Sequence, residues 1–318
     1  MTEKNALVSI IVITYNSAQY VIETLESAKS QTYQNIELIV SDDCSSDDTL
    51  VICEKWIEDN ADRFVRTELI TAPLNTGIPA NCNRGVNASQ GVWVKLIAGD
   101  DILLANCIEE CINFTNTDEG IEILNGNLIV FNELGENLTS IENLNFFSTE
   151  TSSNEQYKYL LRYNRVMAPG VFLKKKLIIE NGGFDELFPL IEDYPMWLKI
   201  TASGRKIYCL SKHIVKYRKT DSGLSSPINK INQKIFPSWV ISSQEVRLKY
   251  CFNDLPYIEK INLKFEIFVR KLIINLNNEN NFFNNKIYKF TKIFNPFIIY
   301  RKLLKIFNRN YIYNDFLK

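Results

Sequence analysis

The side chains most able to do chemistry in this 318-residue chain are three pairs of neighbouring acids. One pair, Asp100 and Asp101, follows an apolar run that ends in Gly99. Mg²⁺ and Mn²⁺ prefer carboxylate oxygens and often take their remaining ligands from water and substrate phosphate. The pair therefore indicates a site for a metal ion and a polyphosphate. Judged from the neighbouring residues alone, the alternative is an ordinary helix N-cap, since acids in the first turn offset the helix dipole.

The other two pairs, Asp42-Asp43 and Glu192-Asp193, suggest different uses. A carboxylate at the end of a strand, where Asp42-Asp43 is expected, can accept hydrogen bonds from a nucleobase or a ribose. Glu192-Asp193 lies between apolar segments, and such surroundings raise the proton affinity of a carboxylate toward what a general base needs. A helix N-terminus with acids before a proline explains this last pair equally well.

Several classes of chemistry are disfavoured. No GxGxxG follows the first strand and no GxxxxGK[ST] occurs, which argues against a dinucleotide-binding dehydrogenase and a P-loop NTPase. The lone His213 has no GxSxG elbow beside it in the sequence, so a hydrolytic triad is not expected. The seven cysteines are scattered, and they predict buried thiols in a reducing cytosol instead of a disulfide framework or a zinc site.

The segments that must position these acids alternate between strand and helix patterns. Four apolar runs predict strands, at Val8–Ile13, Ile36–Ser41, Thr67–Ile70 and Val92–Ile97. A helical pattern follows each of the first three runs, and the first helix is marked by Tyr20, Ile22, Leu25 and Ala28. This alternation is typical of a doubly wound parallel sheet, which binds ligands outside the carboxyl ends of its strands. We therefore expect the polar residues after these strands to share one crevice.

The remainder of the chain has a different character. Residues 120–225 mix short apolar runs with polar stretches, and they predict loops and short elements laid over the same crevice. Beyond Pro227 the sequence predicts basic helices. Residues 1–225 carry 20 basic and 31 acidic side chains, a net charge of -11, whereas residues 226–318 carry 16 and 6, a net charge of +10. The chain is therefore predicted to consist of two domains, residues 1–225 and 226–318.

Six segments in order resemble the motif set of the family 2 inverting glycosyltransferases with the GT-A fold. They are Val8–Asn16, Asp42–Ser45, Asn75–Gly77 with Asn83–Gly85, Gly99–Asp101, Gly182–Asp185 and Glu192–Trp197. The resemblance spans residues 7–220. It implies an α/β fold with a Rossmann-like, mostly parallel sheet flanked by helices, and a basic helical C-terminal extension follows that domain here.

The resemblance also implies which residues bind the nucleotide donor. These residues are Thr14, Tyr15, Asn16, Asp43, Arg84, Asp100 and Arg218. Thr14, Tyr15 and Asn16 would line the nucleotide pocket. Asp43 would face the uracil, and Arg84 would approach the nucleotide or its phosphates. Arg218, with Tyr217 and Ser222, would belong to a later loop that closes over the diphosphate.

The metal site and the catalytic base follow from the same resemblance. Asp101 would be the direct ligand of Mn²⁺ or Mg²⁺, with Asp100 nearer the ribose or sugar. Asp193 would deprotonate the acceptor hydroxyl, with Glu192 beside it. The common family form has a further Asp two positions before Asp100, where this chain has Ala98.

The last residues of the chain suggest contact with a charged surface. Residues 286–318 contain eight Lys or Arg and one acid, Asp315, interleaved with aromatic and aliphatic residues. Such a helix suits the headgroup region of an anionic membrane, and packing on the catalytic domain with a solvated Lys face is the alternative. No nucleic acid is expected, because no recognised binding fold accompanies the charge. No apolar run reaches the roughly 18–20 residues of a spanning helix, so we expect a cytoplasmic protein that is peripheral on the inner face of the cell membrane.

The expected activity is inverting transfer of a sugar from a nucleotide donor, UDP-linked, to a saccharide acceptor. The acceptor is expected to be lipid-diphosphate-linked, in the assembly of bacterial surface polysaccharide such as O-antigen or capsule. The alternative is a non-catalytic nucleotide-sugar-binding partner protein, and Ala98 is the residue that points to it.

Overall fold

The computed structural model describes residues 5–142, 150–220, 238–276 and 282–300. The chain divides into two compact units, Met1–Thr220 and Asp221–Lys318. The first unit is built on a nine-stranded sheet, and the described part of the second unit is helical. The predicted helical C-terminal region is therefore confirmed.

The first half of the sheet consists of four parallel strands. They are β1 (Val8–Thr14), β2 (Ile36–Asp42), β3 (Arg66–Thr71) and β4 (Trp93–Ala98), in the spatial order β3-β2-β1-β4. The helices between them are α1 (Val21–Lys29), α2 (Thr49–Asn60) and α3 (Ile78–Ala88). Nearly all of β1 and all of β2 are buried, as parallel strands covered by helices on both faces require. The predicted alternation of strands and helices is confirmed.

The second half of the sheet reverses direction in places. Its strands are β5 (Ile102–Leu103), β6 (Ile123–Asn132), β7 (Asn137–Ile141), β8 (Val171–Lys174) and β9 (Tyr208–Lys219). The order β3-β2-β1-β4-β8-β6-β9-β5 continues from β4, with β7 beside β6. Strands β6 and β9 run in the direction of β1, and β5, β7 and β8 run against it. The prediction of a mostly parallel sheet is confirmed.

Further α-helices lie in the described residues. The first unit adds α4 (Cys107–Thr115), α5 (Ser153–Leu160), α6 (Lys175–Glu180) and α7 (Asp193–Ala202). The second unit contains α8 (Ser238–Val246), α9 (Tyr257–Asn275) and α10 (Phe282–Ile293), with a small core around Val269 and Ile273. Within the described ranges, no helix combines the length and apolar character that crossing a membrane requires.

One sequence expectation is wrong in detail. Tyr217 and Arg218 lie near the end of the twelve-residue strand β9, not in a loop, because β9 pairs along β6. In α1 the buried face contains Val21, whereas Ile22 is 49% exposed. Of the apolar residues that mark this helix in the sequence, Leu25 and Ala28 are buried. Ser222, predicted in the same loop as Arg218, falls outside the described residues.

Candidate functional site

The carboxyl ends of β1, β2 and β4 meet at one edge of the sheet. Thr14 Oγ1 donates a hydrogen bond to Asp42 Oδ1 at 2.8 Å, and the Asp43 amide donates to the Thr14 oxygen at 3.0 Å. The Gly99 amide donates to the Ile13 oxygen at 2.9 Å. The turns that follow these three strands are therefore hydrogen-bonded side by side, as the parallel arrangement predicts.

The turn after β1 is shaped by Asn16. Its φ of 50° lies in the left-handed region, which asparagine tolerates better than most residues. The Asn16 amide donates to Ser45 Oγ at 2.8 Å, and Asn16 Oδ1 accepts from the Ser46 amide at 2.8 Å. These bonds tie the turn to the loop after β2. They also leave the neighbouring Tyr15 side chain 52% exposed at the rim of the site.

Asp43 is buried and receives four hydrogen bonds. Oδ1 accepts from Thr76 Oγ1 at 2.6 Å and from Arg84 Nη2 at 2.9 Å, and Oδ2 accepts from the Thr76 and Gly77 amides at 2.9 and 2.7 Å. Burial by itself would raise the pKa of Asp43, but these donors hold the pKa below its ordinary value. Asp43 is therefore ionised at neutral pH, and the protein itself supplies its donors.

Arg84 is directed at the same group of residues. Its Nη2 also donates to Asn81 Oδ1 at 3.0 Å and to the main-chain oxygen of Asp42 at 3.3 Å. Its Nη1 donates to Thr76 Oγ1 at 3.3 Å. The side chain is 22% exposed, and its buried Nε has no hydrogen-bond partner. The structure thus brings Arg84 to the predicted nucleotide pocket and uses it there to brace Asp43.

The turn after β4 presents Asp100 and Asp101. Asp101 is fully buried, and its Oδ1 accepts a hydrogen bond from the Arg218 amide at 2.8 Å. Its Oδ2 is buried without a hydrogen-bond partner. Burial raises the pKa of Asp101 well above its ordinary value, and the charge of Asp100 adds to the effect. An unpaired buried carboxylate oxygen is costly to the protein and would be satisfied by a cation.

The two carboxylates fit a hard divalent cation. Among the described residues, no group of three or more His, Cys, Asp and Glu side chains is placed to hold a metal ion. Mg²⁺ and Mn²⁺ are nevertheless often bound through one or two carboxylates together with water and phosphate oxygens. The orphaned Oδ2 of Asp101 and the adjacent Asp100 provide that kind of donor set, and Ala98 two positions earlier adds none.

Arg218 approaches this turn from β9. Its Nε donates to the main-chain oxygen of Asp100 at 2.7 Å, and its Nη2 donates to Glu23 Oε2 at 2.9 Å. Arg218 was predicted near the donor diphosphate, and the structure places its contacts on the backbone and on α1. The contribution of Glu23 was not foreseen, since nothing in the sequence distinguishes it from Glu26, the other acid of α1.

Glu192 and Asp193 stand at the N-terminus of α7. Asp193 Oδ2 accepts from Asn164 Nδ2 at 2.8 Å, and Asp193 Oδ1 accepts from the Tyr194 amide at 2.6 Å. Burial raises the pKa of Asp193, and these donors oppose that rise. Burial and the charge of Asp193 raise the pKa of Glu192 to about 8. Asn164 was missed by sequence reasoning, because nothing in the pattern around it marks a functional residue.

Helix α3 connects the Asp43 pocket to the loop that leads to α7. Its first amide, that of Ile78, donates to the Pro189 oxygen at 3.0 Å, next to the Gly77 amide that binds Asp43. One turn later, Asn83 Nδ2 donates to the Phe184 oxygen at 2.9 Å, and Asn83 Oδ1 accepts from the Phe184 amide at 2.8 Å. The segment that carries Glu192 and Asp193 is therefore fastened to the helix that begins at the Asp43 pocket.

The electrostatic environment of Cys82 on α3 shows the same proximity. Burial raises the pKa of this thiol most, and the charges of Glu192 and Asp193 raise it further. Arg84 lowers the pKa of the thiol and Asp43 raises it. The pKa of this one buried thiol is thus affected both by the predicted base and by the predicted nucleotide pocket. Of the predicted residues, the structure gathers Asp43, Arg84, Glu192 and Asp193 around α3, and Thr14, Tyr15, Asn16, Asp100, Asp101 and Arg218 along the adjoining strand ends.

Comparison with known proteins identifies relatives of this chain. The family model "Glycosyl transferase family 2" matches residues 9–166. An "Uncharacterized glycosyltransferase" of Haemophilus influenzae is 29% identical over 238 residues, which are 71% of this chain and 70% of that protein. The "UDP-Glc:alpha-D-GlcNAc-diphosphoundecaprenol beta-1,3-glucosyltransferase WfaP" of Escherichia coli is 30% identical over 239 residues, which are 74% of this chain and 86% of that protein.

Solved structures show the same fold. The crystal structure of S. aureus TarS 1-349 in complex with UDP-GlcNAc aligns with a TM-score of 0.58 and 21% identity, over 83% of this chain and 72% of that chain. The mannosyltransferase PcManGT from Pyrobaculum calidifontis, in complex with GDP-Man and Mn²⁺, aligns with a TM-score of 0.53 and 17% identity, over 79% and 64%. This chain spans 43% of another TarS chain that it matches. At these identities the likeness extends to the fold alone.

Proposed function

The chain belongs to the family 2 glycosyltransferases of GT-A type, and from this premise we propose that it transfers a sugar from a UDP-linked donor to a saccharide acceptor with inversion. The observation that carries the proposal is that α3 joins the Asp43 pocket to the segment that bears Glu192 and Asp193. A donor pocket and a base on the same support are what a direct displacement needs. The similar E. coli protein is named for a UDP-Glc donor and the similar TarS structure contains UDP-GlcNAc, and both support the choice of UDP.

In the proposed reaction Asp193 takes the proton of the acceptor hydroxyl. The hydroxyl oxygen forms a bond to the anomeric carbon as the bond from that carbon to the diphosphate oxygen breaks. A single displacement of this kind inverts the anomeric centre, so an α-linked donor gives a β-linked product. The raised pKa of Asp193 suits a base that works near neutral pH.

The donor is held by the residues along the strand ends. Thr14, Tyr15 and Asn16 line the nucleotide pocket, with the half-exposed Tyr15 ring at its rim. Asp43 and Arg84 form an ion pair at the nucleobase side of the pocket. Asp100 and Asp101 would hold Mg²⁺ or Mn²⁺, which would neutralise charge on the leaving diphosphate.

Replacement of the base tests the activity. Asp193→Asn should lower the rate of UDP release by about 10²- to 10⁴-fold, the usual contribution of a general base. The donor dissociation constant should not change, because the carboxamide keeps the shape of the side chain. Asp118→Asn, at an exposed acid after α4, is the matched control. Unaltered protein that binds a nucleotide sugar but never releases UDP, with any lipid-linked acceptor pool, would establish the binding-only alternative.

We also propose that the acceptor is lipid-diphosphate-linked and belongs to bacterial surface polysaccharide assembly, such as O-antigen or capsule. The support is the similar E. coli protein, whose name specifies a diphosphoundecaprenol acceptor. Residues 1–225 are assigned to catalysis in this proposal. Residues 226–318 are assigned to contact with the anionic inner face of the cell membrane, where such an acceptor lies.

One face of α10 supports the membrane assignment. Phe283, Phe290 and Ile293 are 64%, 59% and 63% exposed, and they recur on one side of the helix. Lys286 and Lys289 are exposed on or beside this face. Ile287 and Tyr288 of α10 pack on the small core of the second unit. An exposed apolar face with interleaved cations matches the chemistry of an anionic headgroup region.

A further inference from the structure

The side chain of Arg218 is enclosed by protein although it stands beside the proposed metal site. It is 3% exposed, compared with 53% for its ion-pair partner Glu23. Nε donates to the Asp100 oxygen and Nη2 donates to Glu23, and the amide of the same residue donates to Asp101 Oδ1. So little exposed surface leaves no area on which a diphosphate could rest.

Two aromatic rings hold the guanidinium in place. Its central carbon lies 4.4 Å from the centroid of the Tyr20 ring and 4.4 Å from that of the Phe131 ring. Tyr20 is in turn fixed by a hydrogen bond from its hydroxyl to Glu133 Oε1 at 3.0 Å. Contact with two rings restricts the orientation of the planar guanidinium, and this favours the direction of its Nε hydrogen bond.

The turn that receives this hydrogen bond is restrained from both sides. Thr24 Oγ1 on α1 donates to the main-chain oxygen of Asp101 at 2.7 Å. Arg218 on β9 holds the preceding carbonyl, that of Asp100, and also Oδ1 of Asp101. With these groups pinned, Asp101 Oδ2 is the carboxylate oxygen left buried and unpaired.

We propose that Arg218 is a positioning residue of the metal site and does not itself bind the donor diphosphate. It fixes the Asp100-Asp101 turn so that the unpaired oxygen of Asp101 is presented to the cation. This inference rests on the proposed metal site and assigns Arg218 a different role from the one that family resemblance implies. Partners that orient metal ligands typically change metal affinity by about 10- to 100-fold when they are removed.

The test compares metal binding with nucleotide binding in Arg218→Lys and Arg218→Met. Lysine keeps the charge but not the planar fork, and methionine keeps the apolar stem. Mn²⁺ affinity is measured by electron paramagnetic resonance in nucleotide-free and UDP-saturated protein, and UDP affinity is measured in EDTA. Arg205→Lys is the matched control, because Arg205 pairs with Glu122 and is 48% exposed.

Both Arg218 variants should bind Mn²⁺ at least about tenfold more weakly, with UDP affinity in EDTA unchanged. Glu23→Gln, a milder change at a half-exposed position, should weaken Mn²⁺ binding in the same direction while the fold is kept, as thermal unfolding will show. Unchanged Mn²⁺ affinity, or a loss of UDP affinity in EDTA, would overturn the inference. If the unaltered protein takes up no Mn²⁺ in either state, the proposed metal site is wrong and the inference fails with it.

Discussion

The hydrogen bond from Asn164 to Asp193 leads to a prediction about the pH dependence of the reaction. Asn164 Nδ2 lies 2.8 Å from Asp193 Oδ2 and stabilises the ionised carboxylate. Asn164→Ala removes that donor, so the pKa of Asp193 should rise further and the base should be protonated over a wider range of pH. The rate on the acidic side of the pH profile should therefore fall.

The size of the effect follows from the energy of the bond. A hydrogen bond to a charged group contributes about 1.5–3 kcal/mol, and the partial exposure of Asp193 favours the lower end. At about 1.4 kcal/mol per factor of ten, kcat/KM below the pKa of the base should fall about tenfold. The Tyr194 amide still donates to Asp193, so activity should be retained.

Two other ionisable side chains lie near Asp193, and both are left unchanged in this experiment. Glu192 precedes it on the same turn, and Cys82 lies close by on α3. The measurement is the pH profile of UDP release from the best donor found in a screen of nucleotide sugars. Asn87→Ala, at an exposed asparagine of α3, is the matched control. A loss of equal size at every pH would refute the reasoning, because protonation of the base predicts recovery as pH rises.

Two further predictions concern stability and location. The pKa of Glu192 is about 8 in the folded protein against an ordinary 4.5, so its contribution to stability is complete below pH 4.5 and is lost as pH rises through 8. Glu192→Gln should therefore gain stability relative to the unaltered protein as pH rises from 5 to 8, measured by urea unfolding at each pH, and a pH-independent difference would contradict this. The α10 face should bind vesicles that contain phosphatidylglycerol, and Phe290→Ser should weaken binding by about tenfold, because burial of one large apolar side chain contributes about 1.5–3 kcal/mol. Lys176→Glu in the first unit is the control, and equal sedimentation of the Phe290 variant and the unaltered protein would rule out the membrane contact.

The sequence by itself determined the architecture of the first half of the chain. Val8–Ile13 is a run of β-branched residues interrupted only by Ser9, and such a run is typical of a parallel strand buried on both faces. The polar residues that follow each run, among them Asp42 and Asp100, then had to fall at the carboxyl edge of the sheet. The order of the motifs along the chain was also sufficient to identify the family.

Only the tertiary structure decided which partners these residues have. Asn164 and Asp193 are 29 residues apart in the chain, and Glu23 and Arg218 are 195 residues apart. No local pattern encodes pairs at that separation, because they depend on how the sheet orders its strands. The assignment of Arg218 to a loop was wrong for the same reason: its strand is specified by pairing with β6, not by its own composition.

For α10 too, local sequence determines one property and tertiary structure another. The spacing of apolar and basic residues in its sequence is compatible with a face packed on the protein and with a face turned to a membrane. Which of its apolar residues are buried depends on the small core that Val269 and Ile273 form in another helix. Local sequence determines that such a helix is amphipathic, and tertiary packing determines which of its apolar residues are left exposed, because burial depends on residues distant in the chain.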